Sequence, residues 1–495
     1  LSIEFKEILT AVINSPPNPC KFLSTVIIIF LWNTKVNIRR VKYMLKGMSV
    51  AATTLGCKVN QAETDSMLDM LKAAGANIVE FDEKADIYIV NTCSVTNIAD
   101  KKSRQMLHRA RKMNPDGIVI AAGCYVQSAR EILEQDEAID IVISNNKKKS
   151  ITEIVNDYIN VRNNGENTAD KDHEAMEYFV DISRETEYEE MGGHVPVGHT
   201  RAYVKIQDGC NQFCSYCIIP YVRGRIRSRS QEAILAEVSE LAEAGIKEVV
   251  LTGIHISSYG KDKNNEGALI ELIEAISKIK GIKRIRLGSL EPGIITEEFV
   301  ERISSNSKVC PHFHLSLQSG CDSVLKRMNR KYTCKQYFEK CDMLRKAYKS
   351  PALTTDVIVG FPGETEEEFA ETVRYLTELN LYEMHIFKYS PRKGTVAAAM
   401  KEQVAPEIKN ERSDVLLKLA HDNKTAYEAQ FEGCELEVLV EEVVKKDNKT
   451  YLRGHTERYM DILIDVGDIS MPESFVNSFV YVTYTQNGGN LPLLL

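Results

Sequence analysis

The segment Cys210-Asn-Gln-Phe-Cys214-Ser-Tyr-Cys217 holds the residues with the clearest chemistry in this chain. Three thiols at spacings of four and three can close around one face of a small ion or cluster. A structural zinc site takes four tetrahedral ligands, usually close in sequence. Here the next cysteine is Cys310 and the next histidine His255, both far along the chain. A 4Fe–4S cluster can be held by three thiolates, which leaves one iron open to a ligand that is not protein. Buried inert cysteines and a zinc knuckle are the competing readings of these three residues alone.

Three more cysteines stand at another kind of position. Cys57 lies in Leu55-Gly-Cys-Lys-Val-Asn60, Cys93 in Asn91-Thr-Cys-Ser94, and Cys124 in Gly123-Cys-Tyr125. Apolar runs predict strands over Ser49–Leu55, Ile87–Val90, Ile118–Ala122 and Ile139–Ile143, with helices over Gln61–Ala74 and Ile98–Lys112. Such βα alternation predicts a doubly wound parallel sheet over residues 48–160. Each of the three cysteines directly follows a strand. Ligands of open α/β sheets bind outside the carboxyl ends of the strands, so the three can converge on one edge. Three unrelated loop cysteines are the alternative.

Residues 199–428 read as a second βα series. Strands are expected at Tyr203–Gln207, Glu248–Leu251, Arg284–Gly288, His312–Leu317, Leu353–Val359 and His385–Tyr389. Helices are expected at Gln231–Ala244, Gly267–Lys278 and Glu364–Glu378. Six such units make an incomplete (βα)6 barrel, with the site at the strands' C-terminal ends. Thr252-Gly253, Ser289, Glu291, Gln318 and Gly360 gather on that rim with the first cysteine triad. Arg223, Arg225, Arg227 and Arg229 follow at once, with no acid among them, and predict phosphate contact. Lys326-Arg-Met-Asn-Arg-Lys331 is a second basic patch.

The flanks differ in character. Residues 161–198 are polar and acidic and read as a linker. Residues 429–495 carry short strands at Cys434–Val440, Thr450–Arg453, Met460–Ile464 and Phe479–Tyr484, the pattern of a small antiparallel β-barrel. Arg453-Gly-His-Thr-Glu-Arg-Tyr459 gives that barrel basic and aromatic contacts for RNA. In residues 1–47 the apolar run Phe22–Trp32 is shorter than the ~20 residues of a membrane span, and Lys35, Arg39, Arg40 and Lys42 follow it. We read this stretch as an upstream extension, with the protein proper starting near Met44 or Met48, and expect no membrane contact.

A net charge of −8 excludes nucleic-acid binding by bulk positive charge and leaves local basic patches to do it. Twelve cysteines in 495 residues are too sparse for a disulfide scaffold. Their placement in motifs predicts a reducing, cytoplasmic setting and metal chemistry. None of the ten histidines is expected as a metal ligand.

Across residues 48–490 the chain resembles the methylthiotransferase family of radical S-adenosylmethionine (SAM) enzymes. The resemblance rests on the C-x3-C-x2-C run, with Tyr216 before its last cysteine, and on the second triad. It implies a SAM-bearing 4Fe–4S cluster on Cys210, Cys214 and Cys217, and an auxiliary 4Fe–4S cluster on Cys57, Cys93 and Cys124. It further implies SAM contacts from Tyr216, Thr252, Gly253, Ser289, Glu291, Gln318, Ile358 and Gly360, and a C-terminal RNA-binding TRAM domain. One SAM would supply a methyl group to sulfur at the auxiliary cluster. Another would be cleaved to the radical that takes hydrogen from carbon 2 of a modified adenine. Thr54-Leu-Gly-Cys-Lys-Val-Asn-Gln61 and Gln207-Asp-Gly-Cys-Asn-Gln-Phe-Cys214 resemble the branch acting on N6-threonylcarbamoyladenosine in tRNA; isopentenyladenosine and ribosomal-protein branches are the alternatives. Val126 departs from the family's usual alanine. The partners implied are the tRNA anticodon arm, an electron donor such as flavodoxin or ferredoxin, and a sulfur source. Two rival classes remain: an electron-transfer scaffold with two clusters, which has no use for Glu291, and an RNA-binding protein with structural metal, which cleaves no SAM.

Overall fold

The computed structural model describes residues 45–163, 175–192, 200–447, 449–467, 471–485 and 488–490. The expectations for Phe22–Trp32 and Met44, and for parts of the 161–198 stretch, lie outside these residues.

Residues 49–178 form a six-stranded parallel sheet. Its strands are β1 (Ser49–Thr54), β2 (Asn77–Val79), β3 (Ile87–Thr92), β4 (Ile118–Gly123), β5 (Ile141–Ile143) and β6 (Met176–Tyr178), in the order β2-β1-β3-β4-β5-β6. β3 and β4 are buried along their whole length, as a sheet covered on both faces requires. Alternation divides β3 between two cores: Ile87 and Ile89 pack on one face with Met67 and Leu71, Tyr88 and Val90 on the other with Leu107 and Val119. β6 falls inside the stretch expected to be a linker. Three residues are enough here because β5 offers a free edge, and Tyr178 packs against the core beneath.

The second unit contains β7 (Arg201–Asp208), β9 (Glu248–Gly253), β10 (Arg284–Leu287), β11 (His312–His314), β12 (Ala352–Val359) and β13 (Glu383–Lys388), with the two-residue β8 (Arg227–Ser228) antiparallel on the edge of β7. β10-β9-β7 and β11-β12-β13 are two parallel groups, joined where Leu290 bridges Leu315. The six parallel strands are the incomplete barrel expected. Outward side chains such as Val204, Leu251, Ile285, Phe313 and Val357 build one large core against the helices. Inward positions carry Lys205, Glu248, Arg286, His314 and Asp356, so the barrel interior is polar.

β14 (Glu435–Lys446), β15 (Lys449–Thr456), β16 (Asp461–Asp465), β17 (Phe479–Thr485) and β18 (Gly488–Asn490) close a small barrel in the order β14-β15-β16-β18-β17. Every pairing is antiparallel except β16 with β18. This barrel is bolted to the larger one from below: Arg284 Nη2 donates to the Glu437 carbonyl at 3.0 Å and Arg286 Nη1 to that of Glu457 at 2.9 Å. Among the described residues, no helix is long and apolar enough to cross a membrane.

Candidate active site

The three upstream cysteines stand where their strands end. Cys57 sits at the start of helix Lys58–Ala73, Cys93 follows β3, and Cys124 opens a short helix after β4. Gly56, with φ +100°, makes the turn after β1; a Cβ there would lie 2.7 Å from Cys93 Sγ, so only glycine lets the two loops approach. Asn60 fastens them, its Nδ2 donating to the Leu55 carbonyl at 2.8 Å and the Thr92 carbonyl at 2.9 Å. Burial, with a further rise from Cys124 and Cys57 nearby, pushes the Cys93 thiol up to about 11.

The second triad occupies the loop after β7. Gly209 (φ +71°) precedes Cys210, whose N–H donates to the Gly224 carbonyl at 3.0 Å. Cys217 N–H donates to the Cys214 carbonyl at 3.0 Å, which curls the loop so that its thiols face inward. Burial pushes Cys210 up to about 11 and Cys217 up to about 12. Such thiols ionise readily only when a cation takes the charge. Three sulfurs on one tetrahedral zinc would lie about 3.8 Å apart. Among the described residues the side chains grouped tightly enough for a single metal ion are His314, Asp356 and His385, and neither cysteine triad is among them.

One cavity of about 340 Å³ joins the two units. Cys210, Cys214 and Cys217 form part of its wall, and Val95 and Thr96, just past Cys93, form another part. The upstream cysteines do not themselves line it; Cys124 packs instead with Ile218 and Val222, which follow Cys217 in the chain.

Of the expected SAM contacts, Tyr216, Ser289, Glu291, Gln318 and Ile358 line this cavity. Thr252, Gly253 and Gly360 do not. Thr252 is buried across from Lys205, Gly253 backs onto the Gln207 carbonyl, and Gly360 backs onto the Lys409 side chain. Glu291 is held from two sides, by Gln212 Nε2 at 2.7 Å and His255 Nε2 at 3.1 Å. Burial opposes its ionisation, but the hydrogen bond and charge of His255 win and hold its carboxyl below the ordinary range. Gln318 adopts φ +76°, a conformation rare for a side-chain-bearing residue, while its backbone bonds both sides of Val357.

The arginine run requires correction. Arg225 is exposed, with its guanidinium 4.5 Å from the Phe213 ring. Arg223, Arg227 and Arg229 are buried and unavailable to a phosphate. Arg229 pairs with Glu190 and Glu237, Arg227 lies 3.8 Å from Asp208, and Arg223 pairs with Glu63 and Asp208. Acids brought from distant segments satisfy charges that look free in the local sequence.

Three features escape a reading of the sequence. Arg330, in the second basic patch, donates Nη1 to Cys214 Sγ at 3.2 Å. Phe387, 48% exposed on the open edge strand β13, presents a ring to the cavity. Below it His314, Asp356 and His385 meet on one inward face, with His314 Nε2 3.3 Å from Asp356 Oδ2. Strand parity would have placed all three on one face; only the barrel's closure shows that they touch.

Comparison with known proteins accords with this geometry. Residues 204–376 match the family model for the radical SAM superfamily, and residues 49–144 that of Uncharacterized protein family UPF0004. The chain is 40% identical over 416 residues to the threonylcarbamoyladenosine tRNA methylthiotransferase MtaB of Bacillus subtilis, covering 84% of this chain and 90% of that protein. It is 37% identical to the Aquifex aeolicus protein of the same name, covering 84% and 98%. A tRNA-2-methylthio-N(6)-dimethylallyladenosine synthase of Thermoanaerobacter pseudethanolicus is 35% identical, covering 88% and 90%. Among solved structures, the radical SAM methyltransferase TsrM of Kitasatospora setae shares the fold, with TM-score 0.51 and 15% identity over 70% of this chain and 77% of that one. Two cysteine triads at strand ends, a barrel of this topology and relatives of this identity and coverage lead to one conclusion: the chain belongs to the tRNA methylthiotransferases, within the radical SAM superfamily.

Proposed function

We propose that the protein transfers a methylthio group to carbon 2 of N6-threonylcarbamoyladenosine beside the anticodon of tRNA. The observation that carries this is the shared cavity, walled on one side by Cys210, Cys214 and Cys217 and on another by the residues that follow Cys93. When bound, 4Fe–4S clusters on the two triads would supply SAM-derived radical chemistry at one wall and the sulfur-donating site at the other.

The chain's own residues supply position and enclosure. Glu291, Ser289 and Gln318, which line the cavity, would offer SAM polar contacts, and Tyr216 and Ile358 would offer it apolar ones. Leu290 and Ile254 give the cavity apolar surface that limits water at the reacting carbon, which a radical step requires. Phe387 offers a face on which an extruded adenine can stack, since RNA bases are read from unstacked loops. Arg225 and the C-terminal barrel grip the anticodon arm. An electron donor such as flavodoxin or ferredoxin, a sulfur source and a cytoplasmic setting complete the proposal. Threonylcarbamoyl rather than isopentenyl adenosine is supported by the 40% identity to a protein named for the former, against 35% and 37% to proteins named for the latter.

Anaerobically reconstituted protein should hold about eight irons per chain. Replacing Cys57, Cys93 and Cys124 by alanine should leave 5′-deoxyadenosine formation intact and abolish methylthio product. Replacing Cys210, Cys214 and Cys217 should abolish both. Product from the first triple variant would overturn the assignment of the auxiliary site.

A further inference from the structure

Arg223 is one of the largest fully buried side chains in the protein, and it lies between the two cysteine triads. Its Nε donates to Cys124 Sγ at 3.2 Å. Its Nη1 reaches Asp208 Oδ2 at 3.1 Å, two residues before Cys210, and also pairs with Glu63 Oε1. Its Nη2 donates to Glu63 Oε2 at 3.1 Å and to Asn60 Oδ1. Asn60 is the side chain that fastens the Cys57 and Cys93 loops. The backbone joins in, since the carbonyl of the next residue, Gly224, accepts the Cys210 N–H at 3.0 Å. One guanidinium therefore touches Cys124 directly, the Cys57 and Cys93 loops through Asn60, and the Cys210 loop through Asp208.

We infer that Arg223 is a positioning residue that fixes the two cysteine triads relative to each other and tunes the auxiliary site through its bond to Cys124. The inference rests on the two-cluster proposal above.

A guanidinium suits this task physically. Its planar fork serves several acceptors in fixed directions, which lysine cannot do. Arg223 and Lys205 each pair with both Glu63 and Asp208, and Lys148 pairs with Glu63, so three buried cations bracket two buried carboxylates. The anchor is thus an ionised, desolvated network whose members have no water to exchange for one another. Rigid support of this kind matters because a misplacement of about 1 Å can cost roughly 100-fold in rate. The Nε–H···S bond has a second effect. Donors and positive charge at a ligating sulfur stabilise the more negative, reduced form of an iron–sulfur site and raise its potential. The other triad has its own donor, Arg330 on Cys214, so an arginine donates to a sulfur at each site.

The test uses full-length, anaerobically reconstituted protein with Arg223→Gln, Arg223→Lys and Asn60→Ala, and with Arg109→Gln, on the exposed surface of the first unit, as control. Iron is counted, the potential of each cluster is followed by EPR-monitored redox titration, and 5′-deoxyadenosine is compared with methylthio product. We expect both Arg223 variants to lower the auxiliary potential and leave that of the SAM-binding cluster unchanged. Each should also raise deoxyadenosine per product by roughly 10-fold or more. Asn60→Ala keeps the bond to Cys124, so it should raise that ratio with little change in potential. It also keeps the test open if Arg223→Gln does not load. Wild-type potentials and coupling in fully loaded Arg223→Gln would overturn the inference alone. A wild-type protein that carries only about four irons would instead overturn the two-cluster proposal.

Discussion

Arg392, in the loop after the last barrel strand, donates Nη2 to Ser94 Oγ at 2.9 Å, one residue past Cys93. The same guanidinium donates to Asn97 Oδ1 at 2.8 Å and pairs with Asp100 at 2.8 Å. Arg223 follows the first barrel strand and Arg392 the last, so the first sheet is tied to both ends of the barrel's strand series. Val95 and Thr96, between these anchors, are thereby held against the cavity. Arg392→Ala should destabilise the protein by about 3 kcal/mol, since it strands a half-buried carboxylate. Product formation should fall further than SAM cleavage. A variant with equal loss of both, measured on loaded protein, would show that the clasp does not hold the cavity wall.

Gly209→Ala tests the loop that presents the second triad. A Cβ there would lie 1.8 Å from the Arg225 carbonyl oxygen, and the backbone has φ +71°. Strain and overlap together should cost at least ~3 kcal/mol, relieved only by moving Cys210. Iron content should drop by about half, with the upstream triad still loaded. Full iron and normal SAM cleavage would mean that the loop has more freedom than its geometry allows.

Glu63 gives a pH-dependent prediction. Its folded pKa is depressed by Arg223, Lys148 and Lys205 against the cost of burial. Its stabilising contribution is therefore fully present above the unfolded value of about 4.3 and is lost as pH falls through the lower folded value. Glu63→Gln strands three buried cations and should cost ~3–5 kcal/mol at pH 7. On metal-free protein the gap between wild type and variant, measured by denaturant unfolding, should narrow below about pH 4. A gap that stays constant from pH 7 to pH 3 would show that Glu63 is not the titrating anchor.

Arg225 is where the arginine run meets solvent. Arg225→Ala should weaken tRNA binding evenly across tRNA sequences and reduce the salt slope of log K by about 1, with iron unchanged. Filter binding over a salt series measures this. An unchanged slope would remove Arg225 from the RNA surface.

The contrast between Arg225 and Arg223 shows what local sequence can reveal. The rim positions of Cys57, Cys93 and Cys124 are legible because a parallel strand fixes where its C-terminal end points, and each cysteine directly follows one. The first sheet and the two barrels are legible through apolar runs such as Ile118–Ala122, bounded by polar turns. Arg223 is illegible because its partner Glu63 is 160 residues upstream. A charge run read locally has no way to count acids delivered by another domain. The strand at Met176–Tyr178 is hidden in a polar stretch because three residues carry no measurable period. His314, Asp356 and His385 each sit on a correctly predicted strand, yet their meeting depends on register between strands, which a single sequence does not encode.

Mass spectrometry of tRNA nucleosides from cells with and without this gene tests the proposed substrate most directly. Without the gene, 2-methylthio-N6-threonylcarbamoyladenosine should disappear and N6-threonylcarbamoyladenosine should accumulate in its place, while 2-methylthio-isopentenyladenosine is unchanged. The cysteine-triad variants, supplied in place of the natural chain, should not restore it. Unchanged 2-methylthio-N6-threonylcarbamoyladenosine, with loss of the isopentenyl derivative or no loss at all, would contradict the proposal.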